Sequence, residues 1–399
     1  MTNTHQPESV GLSTKRLNRI DTVLQRYIDD GKFAGLSALV ARRGKVVYRR
    51  NFGAKDKTSG APITDDTIFR IYSMTKPITA TALMMLYEQG LFHLHDPIYA
   101  YMPEWTDVKV YDDGKLVDPI RPVTVQDLLR HTSGLTYGLF GDSPVDKLYA
   151  EADLFREGMT NTQFSKDLAR LPLAFQPGTQ WCYSVSTDII GALVEVLSGQ
   201  TLADFMAEHI FEPLGMVDTS FEIAPAKLER LATLYTVTPD EPLALLDEPK
   251  TTRYLAPVTF YSGGGGLIST RDDYSRFAHM RLKYAGSPSG ELDGTRLLGR
   301  ATVELMTRNH LPPEVLPINF GGPMPGVGYG LGMGVMLEPA EAGMMGSAGD
   351  SFWGGYAETY HWVDPREKLV CILMGQTIPS MQYPIRKDMR TLVYQAVVD

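Results

Sequence analysis

Cysteine is scarce in this 399-residue chain, in which Cys182 and Cys371 lie far apart. Two thiols do not indicate a disulfide framework, and they cannot form a zinc site without other ligands. The sequence also lacks an uninterrupted apolar run of the roughly 18 residues that a membrane-spanning helix needs. Residues 1–7 have neither the basic nor the apolar region of a secretory signal. We therefore expect a cytoplasmic protein without a transmembrane helix.

Basic runs are missing too, and the net charge is −9. Nucleic acids and anionic membranes are therefore not expected as partners. The expected partner is a small-molecule substrate. The glycine run 263–266 is not followed by G-K-[ST], which argues against a phosphate-binding loop. His93 and His95 have no third ligand in view, so no metal is predicted, and no cofactor either. A G-x-S-x-G segment is absent, which excludes the nucleophile elbow of α/β-hydrolases.

The composition, 43% hydrophobic and 21% charged, is that of a globular protein, and the length suggests two domains. Strand patterns lie near both ends of the chain, while helical patterns fill the middle. We predict an α/β domain formed by residues 1–70 and 262–399. A mainly helical domain, residues 71–261, is inserted in it, and the active site lies at their interface. Individual predictions include strands at 36–42, 45–52 and 327–337, and helices at 12–30, 271–284 and 384–398.

The most informative segment is Ser73-Met74-Thr75-Lys76, which occurs once and opens an apolar helical run. Residues three apart on a helix share a face, so Lys76 lies beside the hydroxyl of Ser73. That hydroxyl is also near the free N–H groups of the helix N-terminus. A desolvated lysine can lose its proton and act as a base. Taken alone, however, the segment favours a simpler interpretation, a helix-capping serine followed by a surface lysine.

Two later segments follow in an order that supports catalysis. Tyr183-Ser184-Val185 precedes a predicted helix, and Trp353-Gly354-Gly355 starts a late strand. Alone, Tyr183 would be a packed aromatic residue and the second segment an ordinary strand start. Together with Ser73, and with HTSGL at 131–135, the chain resembles class C β-lactamases, D-alanyl-peptidases and, more closely, family VIII carboxylesterases. The resemblance covers most of the chain. It implies an antiparallel sheet flanked by helices, with a mainly helical inserted domain.

The chain departs from the β-lactamase pattern at two places. Val185 stands where those enzymes have the asparagine of Y-x-N, and its side chain cannot bind a substrate amide. Trp353-Gly354-Gly355 replaces K-T-G and so removes a cation near the substrate carboxylate, as in family VIII esterases. These changes favour a neutral acyl ester over an anionic β-lactam.

The resemblance implies a role for each motif residue. Ser73 attacks the ester carbonyl and becomes acylated, while Lys76 and Tyr183 share the proton. Either a Tyr183 phenolate, favoured by the neighbouring cation, or neutral Lys76 with Tyr183 as a relay is the base. The backbone N–H groups of Ser73 and of Tyr356, if the register matches the family, form the oxyanion hole. His361 is more simply a structural strand residue.

The predicted function is a cofactor-free serine carboxylesterase acting on short acyl esters. Its substrate pocket is predicted to contain aromatic and apolar groups without a fixed cation, drawn from Phe140, Trp181, Val185, Tyr261, Trp353, Gly354 and Gly355. The alternatives are a β-lactamase or D-amino-acid peptidase, an acyltransferase that uses the same site, and a penicillin sensor that is acylated once.

Overall fold

The computed structural model describes residues 4–138, 141, 143–255, 257–282 and 289–399. The strands, numbered in chain order, are β1 (Gly35–Arg42), β2 (Lys45–Asp56), β3 (Ala61–Pro62), β4 (Ile68–Arg70), β5 (Val110–Asp112), β6 (Lys115–Val117), β7 (Leu234–Thr236), β8 (Ala244–Asp247), β9 (Ile268–Thr270), β10 (Glu291–Leu292), β11 (Thr295–Arg296), β12 (Ile318–Asn319), β13 (Pro323–Met324), β14 (Val327–Tyr329), β15 (Gly334–Met336), β16 (Ser351–Gly355), β17 (Thr359–Asp364), β18 (Leu369–Met374) and β19 (Thr377–Ile378).

The α-helices are α1 (Thr14–Leu17), α2 (Arg19–Asp29), α3 (Thr75–Glu88), α4 (Val125–Leu129), α5 (Pro144–Glu151), α6 (Asn161–Leu168), α7 (Ser186–Ser198), α8 (Leu202–Met206), α9 (Glu212–Leu214), α10 (Arg271–Met280), α11 (Arg300–Met306), α12 (Pro339–Ala342) and α13 (Ile385–Tyr394). A π-helical segment, Ala207–Phe211, joins α8 to α9.

The main sheet has eight strands in the order β14-β15-β16-β17-β18-β1-β2-β3. Every neighbouring pair in it is antiparallel. The early strands β1–β3 therefore join the late strands β14–β18 where β1 pairs with β18. The predicted fold class, an antiparallel sheet flanked by helices, is confirmed.

Both faces of this sheet are buried, because alternate residues of a strand point to opposite sides. In β1, Leu39 and Ala41 belong to one hydrophobic cluster, whereas Leu36, Ala38 and Val40 belong to another. The second cluster also contains apolar residues of α2 and α13, and the first contains those of α3, α7 and α10. Burial on both faces explains why β1 and β18 consist almost entirely of apolar residues.

Helix α3 is buried around nearly its whole circumference, from Thr75 to Met84. It packs against α7 and thus lies inside the larger hydrophobic cluster. The segment predicted as the helical insertion is not purely helical, since β7 pairs with β8 and, in parallel, with β19 near the other end of the chain. The proposed division at residues 70 and 262 stays a prediction.

Several elements differ from their predicted form, and α13 ends at Tyr394 rather than 398. The helix predicted at 12–30 is two helices with a break at Asn18. The single strand predicted at 327–337 is wrong, because β14 and β15 form a hairpin there. At its turn, Gly332 has a φ of 85°, and an added Cβ would lie 2.5 Å from the Cβ of Ala80 in α3. Helix α10 ends at Met280 rather than 284, and residues 283 and 284 lie outside the described part of the chain.

Within the described ranges, no single helix has the length and apolar character needed to cross a membrane. One pair, Ser186–Ser198 with Leu202–Leu214, meets the requirement together but is bent by 83°.

Candidate active site

Ser73 lies in a tight turn immediately before α3. Tyr72–Met74 form a short 3-10 helix, so the α-helix begins at Thr75 rather than at Ser73. Tyr72 has a φ of 43°, which is sterically unfavourable for a residue with a Cβ. Such a conformation persists only where surrounding contacts hold it, and it occurs often at functional sites. The turn leaves Ser73 partly exposed, although Met74 and Lys76 are buried.

The Lys76 side chain is fully buried, with 0% exposure. Its Nζ atom donates hydrogen bonds to Ser73 Oγ at 3.3 Å, Tyr137 Oη at 2.8 Å and the carbonyl of Gly264 at 2.7 Å. Three acceptors match the three N–H donors of an ammonium group. The predicted Ser73–Lys76 pair is therefore in contact, and the buried amine of Lys76 lies beside the serine hydroxyl.

Two tyrosines, rather than one, adjoin this lysine. Lys76 Nζ lies 4.6 Å from the centre of the Tyr183 ring, and the Tyr183 hydroxyl accepts a long hydrogen bond of 3.4 Å from Trp353 Nε1. The rings of Tyr137 and Tyr183 are 5.3 Å apart. Burial, reinforced by Tyr183, holds the pKa of Tyr137 well above its usual value. No sequence motif identified Tyr137, although it lies only two residues after the HTSGL segment.

The end of β16 lies directly against the Ser73 turn. A Cβ added at Gly355 would be 2.2 Å from the carbonyl oxygen of Ile71 and 2.2 Å from Thr359 Oγ1. Only glycine permits this approach. The next residue, Tyr356, is 43% exposed, and its ring lies 6.2 Å from that of Tyr72. The backbone at Gly355 thus borders the turn that contains Ser73.

The beta-lactamase family matches residues 20–395 of this sequence. The chain belongs to the beta-lactamase family. Esterase EstB of Burkholderia gladioli is 31% identical over 395 residues, covering 94% of this chain and 94% of the esterase. Monacolin J acid methylbutanoyltransferase of Aspergillus terreus is 26% identical over 407 residues, covering 95% of this chain and 94% of the transferase.

Among solved structures, EstCE1, described as a hydrolase with promiscuous acyltransferase activity, superposes with a TM-score of 0.82 at 26% identity. The alignment covers 95% of this chain and 99% of EstCE1. These similarities confirm the resemblance to family VIII carboxylesterases, and they place this beta-lactamase family member among serine hydrolases of that fold.

The predicted pocket residues of this beta-lactamase family member occupy different environments. Trp353 is 6% exposed and packs against Tyr183. It therefore lies beside the group formed by Lys76, Tyr137 and Tyr183, called the lysine–tyrosine group below. Trp181 packs against the same tyrosine and against His131. Val185 is 0% exposed and belongs to the larger hydrophobic cluster.

Tyr261 and Gly354, two further predicted pocket residues, have other neighbours. The Tyr261 ring packs on Phe221. A Cβ at Gly354 would meet the guanidinium of Arg386 at 2.4 Å. Phe140 lies outside the described residues.

A buried carboxylate lies close behind the lysine. Asp188 Oδ1 accepts hydrogen bonds from Ser262 Oγ and, at 3.0 Å, from the N–H of Gly264, whose carbonyl binds Lys76. Burial raises the pKa of Asp188, while the charge of Lys76 opposes that change. No motif pointed to Asp188, although it follows closely after the Tyr183-Ser184-Val185 segment.

The histidine of the HTSGL segment, His131, packs against Tyr183 with the ring centres 5.0 Å apart. His131 is fully buried and its Nδ1 lies 3.1 Å from Ser184 Oγ. Burial and the charge of Lys76 hold the pKa of His131 well below its usual value, so the ring is neutral at pH 7. Within the part of the chain that the structure describes, no group of three or more His, Cys, Asp or Glu side chains could hold a metal ion.

Proposed function

We propose that this protein is a serine carboxylesterase that hydrolyses short-chain acyl esters through an acyl-enzyme on Ser73. The observation that carries the proposal is the 3.3 Å contact between Ser73 Oγ and the Nζ of a fully buried lysine. A serine at the start of a helix, beside a buried lysine, has the arrangement of an activated nucleophile. The similarity to an esterase over nearly the whole chain supports this assignment.

Acylation begins when Ser73 Oγ attacks the carbonyl carbon of the ester. The hydroxyl proton passes to the group formed by Lys76, Tyr137 and Tyr183, which returns it to the departing alkoxide. The C–O bond of the ester breaks and a Ser73 ester forms. Negative charge on the carbonyl oxygen is received by the N–H groups of Ser73 and Tyr356.

Deacylation repeats these steps with water as the nucleophile. The lysine–tyrosine group takes a proton from water, which attacks the acyl carbon, and Ser73 Oγ leaves and recovers its proton. The product is a carboxylic acid, and the serine is regenerated. Lys76 remains bound to the Gly264 carbonyl in the resting structure, so its position is fixed before substrate arrives.

Aromatic side chains beside the lysine–tyrosine group favour an acyl group without charge. Phe320 and Trp353 both pack against Tyr183, at ring-centre distances of 5.0 and 5.4 Å. Each buried methylene of an acyl chain contributes about 0.8 kcal/mol until the space is full. We therefore propose acetyl to butyryl esters as the best substrates.

The test is a panel of p-nitrophenyl esters from acetate to palmitate, with Ser73→Ala as the control. We expect turnover to peak between acetate and butyrate, to fall beyond about octanoate, and to vanish in Ser73→Ala. A cephalosporin in the same panel should be hydrolysed far less efficiently than the butyrate. Equal catalytic efficiency on both would favour a β-lactamase.

A second candidate, acyl transfer, is favoured by two relatives. One is a methylbutanoyltransferase and another is described as a hydrolase with promiscuous acyltransferase activity. Transfer needs only that an alcohol replace water in deacylation. Increasing concentrations of an alcohol during ester turnover should therefore divert product from free acid to the new ester. An unchanged acid yield at every alcohol concentration would exclude transfer to that acceptor.

A further inference from the structure

A chain of buried polar side chains runs from helix α10 to the turn of the nucleophile. Arg281 Nη1 lies 3.4 Å from His361 Nε2, and His361 Nδ1 lies 3.3 Å from the hydroxyl of Tyr274. That hydroxyl donates to the carbonyl oxygen of Met74 at 3.0 Å. Arg281 is 6% exposed, and Tyr274 and His361 are 0% exposed. This series of hydrogen bonds thus ends on the backbone of Met74, the residue that follows Ser73.

The chemistry of arginine determines which group donates and which accepts at each hydrogen bond of this series. A guanidinium has donors and no acceptor, so His361 Nε2 must accept and the imidazole proton lies on Nδ1. Nδ1–H then donates to the Tyr274 oxygen, which leaves the tyrosine proton for the Met74 carbonyl. Burial and the charge of Arg281 hold the pKa of His361 well below its usual value, consistent with a neutral ring.

Arg281 is a costly residue to bury in this position. No carboxylate of the described residues lies within 4.0 Å of its guanidinium, whose other contacts are Ser351 Oγ at 2.9 Å and the ring of Phe277. Burial lowers the pKa of Arg281 to about 10, so the side chain is still a cation at neutral pH. A buried cation that has no carboxylate partner among the described residues is destabilising, and its contact with His361 offsets part of that cost.

The turn that the chain reaches is held at its other end as well. Thr359 Oγ1 donates to the Ile71 carbonyl at 3.2 Å. Thr359 and His361 are two residues apart on β17 and share one face of the strand. Side-chain donors therefore hold the carbonyls on both sides of Tyr72 and Ser73, where the backbone of Tyr72 is strained.

We propose that Tyr274 and His361, oriented by Arg281, are positioning residues that hold the Ser73 turn in its reactive geometry. This inference rests on the proposed function, in which Ser73 is the nucleophile. None of the three side chains touches the reacting atoms. Their effect is to fix the Met74 carbonyl, and through it the orientation of the serine hydroxyl and N–H.

The first test compares Tyr274→Phe with Tyr360→Phe. Both variants remove one buried tyrosine hydroxyl, but the Tyr360 hydroxyl accepts from Arg390 Nε and does not reach the nucleophile turn. For Tyr274→Phe we expect kcat on p-nitrophenyl butyrate to fall about 10- to 100-fold with KM nearly unchanged, because small misplacements of a nucleophile have effects of this size. Tyr360→Phe should keep kcat within about two-fold of the wild-type value, because its hydroxyl does not contact the Ser73 turn. Equal kcat values for both variants would overturn the proposal.

The second test follows His361 directly. In ¹⁵N-histidine spectra of the wild-type protein we expect a neutral ring with its proton on Nδ1, and a proton on Nε2 would overturn the proposal. His361→Asn keeps an N–H donor near the position of Nδ1, whereas His361→Leu does not. The asparagine variant should therefore retain more activity than the leucine variant, and the reverse order would contradict the proposal.

The two proposals fail in distinguishable ways. If wild-type protein does not turn over esters, the proposed function fails, and the ¹⁵N spectra still decide whether the chain has the inferred direction. If esters are hydrolysed in a Ser73-dependent reaction while Tyr274→Phe is fully active, only the positioning role fails.

Discussion

At the scale of single residues, the environment of Lys76 determines which groups handle the proton. Its Nζ contacts Ser73 and Tyr137 directly and lies over the face of Tyr183. The backbone carbonyl of Gly264 orients the lysine, and Asp188 fixes the backbone N–H of that glycine. The reactive pair is therefore surrounded by groups that hold it in place, as catalytic geometry requires.

The two tyrosines are expected to contribute unequally. Tyr183→Phe should lower kcat by about 10² or more if its hydroxyl takes part in proton transfer, the usual size of that effect. Tyr137→Phe removes one hydrogen bond to Lys76, and we predict a smaller decrease. Steady-state kinetics on p-nitrophenyl butyrate measure both variants. Near-normal turnover in Tyr183→Phe with a large loss in Tyr137→Phe would assign the proton transfer to Tyr137.

The sequence predicted the contact between Ser73 and Lys76 but not the contact between Tyr137 and Lys76. Ser73 and Lys76 are three positions apart, so local helix geometry alone predicts their contact. Tyr137 reaches Lys76 only because the loop after α4 folds back over α3, and no local pattern describes that approach. Its position beside HTSGL was the one available signal.

At the scale of elements, strand β16 and the turn that contains Ser73 are in close contact at Gly355. Gly355→Ala would place a methyl carbon 2.2 Å from the Ile71 carbonyl, so strand and turn must separate. We predict a decrease in kcat of about 10², since a shift of this size disturbs nucleophile and oxyanion donor together.

Gly354→Ala is the matched control for this change. Its methyl group would meet the guanidinium of Arg386, which Glu358 and the Gly355 carbonyl hold, and not the carbonyl of the Ser73 turn, so the loss of kcat should be smaller. Thermal unfolding of both variants separates lost activity from lost folding. Equal kcat values for the two variants would contradict the importance of this contact.

Helix α10 contains a titrating group with a clear pH signature. Asp273 lies in its first turn, where burial raises the pKa of the carboxyl from 3.8 to about 6. Between these values the folded protein binds a proton that the unfolded chain does not. The contribution of Asp273 to stability is therefore full below about pH 4 and is lost as the pH rises through about 6.

Relative to Asp273→Asn, the wild-type protein should lose up to about 3 kcal/mol of unfolding free energy between about pH 4 and pH 7, at ~1.4 kcal/mol per pKa unit. Urea unfolding at these two pH values measures the difference, and effects of other groups cancel in the comparison. A difference between the two proteins that is independent of pH would contradict the assignment.

Element types were largely predictable, whereas their ends and pairings were not. The strands around Arg43-Gly44 follow from alternation and a turn, and both are present as β1 and β2. The 327–337 segment was predicted as one strand because glycine is found both in turns and in strands that lie close to another segment of backbone. The sequence pattern therefore did not reveal the turn between β14 and β15. Contact with α3 at Gly332, which only the tertiary structure reveals, decides between these possibilities.

At the scale of the whole molecule, strands from both ends of the chain form one sheet, and the two faces of that sheet pack against different helices. One face packs on α2 and α13, while the other packs on the cluster that contains α3. The order of Ser73, Tyr183 and Trp353 along the chain predicted that these segments meet. How the helical segments join the sheet could not be predicted, because long-range pairings such as β7 with β19 have no local signal.

Covalent labelling can show whether Ser73 is the nucleophile of this protein. The protein is treated with a fluorophosphonate, digested and analysed by peptide mass mapping. We predict one modified residue, Ser73, with labelling abolished in Ser73→Ala and slowed in Lys76→Ala. A label on Ser133 or Ser184, or undiminished labelling of Ser73→Ala, would contradict the account.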